Sequence, residues 1–220
     1  MRDKMFSENS RFYRFMMKIM DLIILNLLWG ISSLPIITIG ASTTALFTVT
    51  KKAMKNEESY LAKSYWRAFR ENFRQATGIW LILLTGWVVL LTDLYIMGRL
   101  NGSINGVFHG ALTGVVTVLL IFLYLITLYV FPMQASYGNK VSQTIFKSLV
   151  FSIQYFGYTF QMIGTILFPL GAVLIFGMLT ATGWSWCVFF YLIAGVAVTV
   201  YWMSFPWQRL RNKLEEEMGR

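Results

Sequence analysis

The sequence predicts an all-α integral membrane protein: a bundle of six transmembrane helices, five in the alternative reading, with two short amphipathic helices on its cytoplasmic side. Three observations predict it. Of 220 residues 56% are hydrophobic and 13% charged, where a soluble domain would carry roughly a quarter charged. Several runs reach the about 20 apolar residues that a helix needs to cross a bilayer. The formal charge of +9 is gathered in clusters between those runs. In so apolar a chain, such clusters read as the cytoplasmic bias of Lys and Arg and as contacts with anionic lipid, not as a nucleic-acid face.

The first apolar region, 19–50, is interrupted by Ser32-Ser33-Leu34-Pro35 and by Gly40-Ala41-Ser42-Thr43-Thr44. As one crossing it would leave outside either Arg2, Lys4, Arg11, Arg14 and Lys18 or the larger cluster Lys51, Lys52, Lys55, Lys63, Arg67, Arg70 and Arg74. A hairpin removes the conflict: a span over 15–34, a tight turn at Pro35, and a return span over 36–54. The residue before a proline is pushed away from helix, and proline suits a helix start. Further spans are expected over 75–97, 112–135, 160–181 and 184–206, with a cytoplasmic tail over 207–220 forming a short solvated helix. Of the 19 basic residues only Arg99 then lies outside, and both termini are cytoplasmic. A re-entrant first hairpin is the other alternative to six full crossings. A cleaved signal peptide is disfavoured, since the basic arm is long and the apolar run continues to Val49. Shifting the chain by 80 residues lays 36–54 over the fourth span and Trp66-Arg67-Ala68-Phe69 over Phe146-Lys147-Ser148-Leu149, a weak parallel repeat in residue class.

Between the spans, Tyr60, Lys63, Tyr65, Trp66, Arg67, Phe69, Arg70, Phe73 and Arg74 alternate aromatic and basic character. At 100° per residue Trp66, Phe69, Arg70 and Phe73 share a face, as in a helix at the headgroup boundary. The face reads as an interfacial anchor or as a docking surface, and Gln143 to Tyr155 repeats the theme with less charge. Gly98, Gly102, Gly106, Gly110 and Gly114 fall every fourth residue, but Asn101, Ser103 and Asn105 favour a loop that becomes helical near Gly110. Gly157, Gly164 and Gly171 lie seven apart, a stripe for helix packing together with Pro35 and Gly40, and Pro169 is expected to kink the fifth span.

Intramembrane polar groups, the usual functional pointers, are few. Asp21 is expected to pair with Lys18, and Asp93 with Arg99 or His109. Asn26, Gln134, Gln154 and Gln161 are candidates for interhelical hydrogen bonds. No Gly-Lys-Ser/Thr phosphate loop is present. One histidine and one cysteine, Cys187, leave no metal site and no internal disulfide. No catalytic residue, cofactor or enzymatic activity is expected. Met133-Gln134-Ala135-Ser136-Tyr137-Gly138 only faintly matches the coupling loop of ABC importer permeases, because the acidic residue is missing.

The run Ser33-Leu34-Pro35-Ile36-Ile37-Thr38-Ile39-Gly40-Ala41-Ser42-Thr43-Thr44-Ala45-Leu46 is preceded by Tyr13-Arg14-Phe15 and Asp21-Leu22-Ile23-Ile24-Leu25-Asn26. With Trp66-Arg67-Ala68-Phe69-Arg70-Glu71-Asn72-Phe73-Arg74-Gln75-Ala76-Thr77, it resembles the YesL-like family of small bacterial membrane proteins. The resemblance implies a multi-pass protein of the Gram-positive cell membrane. It also implies genomic neighbours among carbohydrate ABC importers, polysaccharide-degrading enzymes and sugar-responsive two-component systems. It carries no catalytic residues. The function expected on this basis is an accessory subunit of an oligosaccharide ABC importer, packing beside the permeases. The alternatives are a membrane sensor or regulator of sugar uptake or envelope state and, third, an autonomous small-molecule transporter.

Overall fold

The apolar run after the basic arm folds as α1 (Arg11–Ser32) and stops where Ser33, Leu34 and Pro35 cannot continue it. In the computed structural model, which describes residues 11–54, 60–99, 106–138, 140–179 and 191–218, Pro35 is extended and Ile36–Thr38 forms a 3-10 turn. The Thr38 hydroxyl donates to the Ser32 carbonyl at 2.6 Å, satisfying one of the acceptors that a helix end leaves open. The chain then enters α2 (Ile39–Met54).

Helix α2 is the centre of the molecule. Gly40, Ala41, Ser42, Thr44, Ala45, Leu46, Phe47, Val49 and Thr50 are all buried, so it is covered on every side. Three of its hydroxyls bond within the helix or its leading turn: Ser42 donates to the Thr38 carbonyl, Thr44 to Gly40 and Thr48 to Thr44, each at 2.9 Å, whereas Thr50 Oγ1 is buried without a partner. Back-bonding of this kind lets small polar residues sit in a core without an unsatisfied donor.

Helix α3 (Leu61–Arg99) has 39 residues, about 58 Å at 1.5 Å per residue, roughly twice the hydrocarbon thickness of a bilayer. The expected amphipathic helix over Tyr60 to Arg74 and the expected span over 75–97 are thus one rod. Nothing breaks it, since neither glycine nor proline falls between Leu61 and Thr77. It pairs antiparallel with α4 (Gly106–Tyr137): Trp87 Nε1 donates to Thr127 Oγ1 at 3.3 Å and Gln134 Nε2 to Gln75 Oε1 at 2.8 Å. Helix α4 takes in Gly106, Gly110 and Gly114, and Gly98 belongs to α3, so helix covers more of the glycine-rich segment than expected. Gly102 and its polar neighbours lie outside the described residues.

Gly138, with φ +56°, ends α4 in the left-handed cap that glycine adopts without penalty. Helix α5 (Val141–Gln154) follows, and after a break at Tyr155 the chain continues as α6 (Phe156–Leu179). The break distinguishes this half from the unbroken α3, so the weak repeat does not extend to helix shape. A π-helical turn (Tyr191–Gly195) leads into α7 (Val196–Met218), which lies against α6 with Phe168 facing Trp202 at 5.6 Å between ring centroids. Residues 180–190, including Cys187 and the start of the expected last span, lie outside the described set.

The core occupies one end of the bundle, where Lys51, Lys52, Lys63, Arg67, Arg70, Arg74, Lys140, Lys147, Arg209, Arg211 and Lys213 also lie. Leu25, Leu46, Tyr65, Ile79, Leu83, Tyr129, Met133, Met162, Met203, Trp207 and Leu210 meet there around α2. Along α3 no residue beyond Leu83 is buried, and along α4 none before Leu128. These outer legs carry exposed Val88, Val89, Leu91, Ile96, Val115, Val118 and Ile121.

Two expectations need correction. The Pro35 turn does not reach the far end of the bundle: Trp80 Nε1 donates to the Ile36 carbonyl at 2.7 Å, placing the turn beside the beginning of the apolar half of α3. Helix α2 therefore packs along the basic half of α3, and 36–54 is not a crossing of the same reach as 75–97. Second, the tail is solvated on one side only: Trp207, Leu210 and Leu214 join the core, Trp207 Nε1 donates to Ser136 Oγ at 2.9 Å, and Lys213 Nζ lies 5.5 Å above the Tyr155 ring. The expected Arg211–Glu215 pair is present at 3.4 Å. Helix α5 covers most of the expected second amphipathic segment; it buries Thr144, Ser148 and Ser152 and exposes Phe146, Val150 and Ile153 together with Gln143, Lys147 and Gln154. Among the described residues three helices are long and apolar enough to cross a membrane, Phe12–Ser32, Leu61–Arg99 and Gly106–Tyr137.

The position of the Pro35 turn is testable by labelling. In a Cys187→Ser background, Leu34→Cys, at a site 80% exposed in the isolated chain, is expected to resist a membrane-impermeant maleimide added to intact cells while Arg99→Cys reacts. Labelling of both would restore a hairpin that reaches the outer face.

Candidate interaction surface

The first four turns of α3 present two faces. Ser64, Tyr65 and Ala68 are buried against α1 and α2, while Tyr60, Lys63, Trp66, Arg67, Arg70, Phe73 and Arg74 are exposed and Phe69 is half-buried. The aromatic residues form an edge-on ladder, with centroid distances of 5.6 Å for Trp66–Phe69 and 5.4 Å for Phe69–Phe73. The guanidinium groups of Arg67, Arg70 and Arg74 stand on the same exposed rod. Such a face can hold an anionic headgroup or an acidic, aromatic-lined protein surface through charge, stacking and cation–π contact.

What fixes the face in space is Tyr65, which the sequence reading placed in the alternating run but did not single out. Its side chain is fully buried at 0% exposure. Its hydroxyl lies 2.6 Å from Ser32 Oγ and 3.3 Å from the Ser42 carbonyl, so a single oxygen joins α1, α2 and α3. Further polar ties surround it. Gln134 donates to Gln75 and accepts from Thr144 Oγ1 at 2.9 Å, linking α3, α4 and α5. Tyr129 Oη lies 2.9 Å from Thr159 Oγ1, which donates to the Ser152 carbonyl at 2.8 Å, so this pair bridges the break at Tyr155. Asn26 Oδ1 accepts from the Ala197 backbone N–H at 3.0 Å where α7 begins, satisfying a helix-start donor that has no intrahelical partner.

Of the expected interhelical hydrogen-bonding residues, Asn26 and Gln134 make such bonds, whereas Gln154 and Gln161 are exposed. Arg99 does not turn to Asp93. It reaches Tyr95 Oη at 2.8 Å and lies 5.3 Å over the same ring, one turn away and therefore the shorter reach. His109 meets the Met97 carbonyl at 2.7 Å. Asp21 is half-buried on α1. Pro35 forms the turn already described, and Gly40 lies against Ala76 and Trp80. Around Gly157, Gly164 and Gly171, by contrast, nothing among the described residues would come within 4 Å of an added Cβ. Among the described residues the seven-residue stripe therefore forms no packing seam. Among the described residues no group of three or more His, Cys, Asp or Glu is placed to hold a metal ion.

The residues that sequence reasoning passed over carried a signal. Ser64, Tyr65, Ala68, Ala76, Ile79 and Leu83 follow the three-and-four spacing of one helix face, and Thr144, Ser148 and Ser152 recur every fourth residue. Tyr65→Phe, which deletes the oxygen shared by three helices, is expected to cost about 1–2 kcal/mol. The reading is thermal unfolding in detergent, with Lys63→Ala, two residues away on the exposed face, unchanged.

Comparison with known proteins agrees with this architecture. The family model described as "Protein of unknown function, DUF624" matches residues 22–94, from the second half of α1 through the buried α2 and along nearly all of α3. A curated relative, "Uncharacterized protein YesL" of Bacillus subtilis (strain 168), is 26% identical over 159 residues, 70% of each chain. No solved structure matches. Both matches point the same way: over these residues the chain is similar to the DUF624 model and to YesL, whose printed descriptions assign no function.

Proposed function

We propose that this chain is a non-catalytic accessory membrane subunit of an oligosaccharide ABC importer, packing beside the permease subunits with its basic end in the cytoplasm. The observation that supports this most is the rigid basic-aromatic face of α3. It exposes Trp66, Arg67, Arg70, Phe73 and Arg74 on a helix backed by buried Tyr65 and Ala68, and α3 is too long to be contained in a bilayer. The orientation follows from the bias of Lys and Arg toward the cytoplasm, which puts the C-terminus on that side as well. In this setting the exposed aliphatic legs of α3 and α4 meet lipid or the permeases' own helices. The face at their base meets cytoplasmic loops and anionic headgroups. The family resemblance adds its implied genomic neighbours, the carbohydrate importers.

The number of crossings follows from the same placement. α1, α3, α4 and α6 cross, α5 leads into α6, and the segment ending in α7 returns. With α2 confined to the basic end, we favour five crossings over six, which places the start of α1, with Arg11, Arg14 and Lys18, on the side opposite the C-terminus and not, as expected, beside it.

The test is affinity purification from mild detergent after co-expression with the permease pair encoded nearest to it. The permeases are expected to co-elute with the wild-type chain. Reversing two charges of the face, Arg67→Glu with Arg70→Glu, should cut their recovery about tenfold or more, as like-charge juxtaposition at an interface does. Elution of the wild-type chain alone would contradict the reading.

A further inference from the structure

A groove of about 410 Å³ runs between α6 and α7, lined by Gln161, Gly164, Phe168, Trp202, Phe205 and Arg209. Its lining is polarised along the bundle. Gln161 and Arg209 stand together at the basic end, and Phe168 and Trp202 stand together, seven residues further along each helix and so about 10 Å away. Two neighbouring cations of the tail are engaged within the chain, Arg211 with Glu215 and Lys213 over the Tyr155 ring, whereas Arg209 is exposed at the mouth of the groove. Gly164 leaves the space open, since nothing would lie within 4 Å of a Cβ there. A phosphodiester beside two polar side chains and a hydrocarbon chain along aromatic walls has the chemistry of one phospholipid. The single positive charge selects an anionic one.

We propose that this groove is a binding site for one anionic phospholipid of the inner leaflet, its phosphate at Arg209 and Gln161 and one acyl chain along Gly164, Phe168 and Trp202. This rests on the membrane placement proposed above, and its leaflet on the direction of insertion, but not on the importer partnership.

Native mass spectrometry of the detergent-purified chain, titrated with phosphatidylglycerol or phosphatidylcholine of the same acyl composition, tests it without either. One phosphatidylglycerol is expected to be retained about fivefold more tightly than phosphatidylcholine, the size of a single arginine's attraction to an anionic lipid. Arg209→Gln should abolish that preference while leaving some binding of both lipids. Gly164→Leu, whose Cβ has nothing within 4 Å and whose longer side chain occupies the groove, should abolish retention of both while the thermal melting of the protein stays that of wild type. Equal retention of the two lipids by the wild-type chain, or undiminished phosphatidylglycerol retention by a folded Gly164→Leu chain, would overturn the proposal.

Discussion

At Gly40 the backbone of α2 comes so near α3 that an added Cβ would stand 2.5 Å from the Ala76 carbonyl oxygen and 2.5 Å from Trp80 Cβ. Real side-chain atoms do not tolerate such distances, and one of the two obstacles is backbone. The close approach lets Trp80 bond the Ile36 carbonyl and Trp29 Nε1 donate to Thr43 Oγ1 at 3.2 Å. It also brings the first turns of α2 within reach of Tyr65. In an apolar surrounding, helix association has little hydrophobic drive and depends on close van der Waals packing and on hydrogen bonds between helices. A small-residue helix at the centre supplies the first, and the ring of Tyr65, Gln75, Gln134, Thr144, Tyr129 and Thr159 around it supplies the second.

The same constraint explains why the polar residues are where they are. Ser and Thr on α2 and α5 are little larger than alanine, so they allow close packing, and their hydroxyls return to the preceding turn of their own helix. Ser148, for instance, donates to the Thr144 carbonyl at 2.7 Å. Helix α5 can therefore turn Thr144, Ser148 and Ser152 inward and its large apolar residues outward. With Trp207, Leu210 and Leu214 closing the other side, the basic end becomes a packed body from which the long legs of α3 and α4 extend. A surface that presents charge and aromatic rings on a fixed frame is suited to recognition.

Much of this was legible in the residues. Apolar runs gave α1, the outer half of α3, α4 and α6 to within a few positions, and the break at Ser33-Leu34-Pro35 was placed correctly because proline restricts its neighbour locally. The exposed face of α3, with Trp66, Arg70 and Phe73, followed from helical spacing. The depth of the Pro35 turn did not follow, because it depends on a contact between Gly40 and Ala76 that is 36 residues long-range in sequence and leaves no local periodicity. Which side of α5 is buried was not read from the sequence, because at every fourth position Thr144, Ser148 and Ser152 serve as small residues rather than as a polar outer face. The tail was misread because Arg209, Arg211 and Lys213 mask the spacing of Trp207, Leu210 and Leu214.

The central claim, that the fold depends on the close approach of α2 to α3, is tested most directly by the thermal unfolding of Gly40→Ala in detergent, with Gly157→Ala as its partner measurement. The account predicts that the methyl at position 40 forces the helices apart and destabilises the protein by about 1–3 kcal/mol, the usual cost of overpacking. The methyl at 157, with open space around it, should do no harm. Equal stability of the two variants would mean that α2 is not held by this contact, and the architecture built around it would not stand.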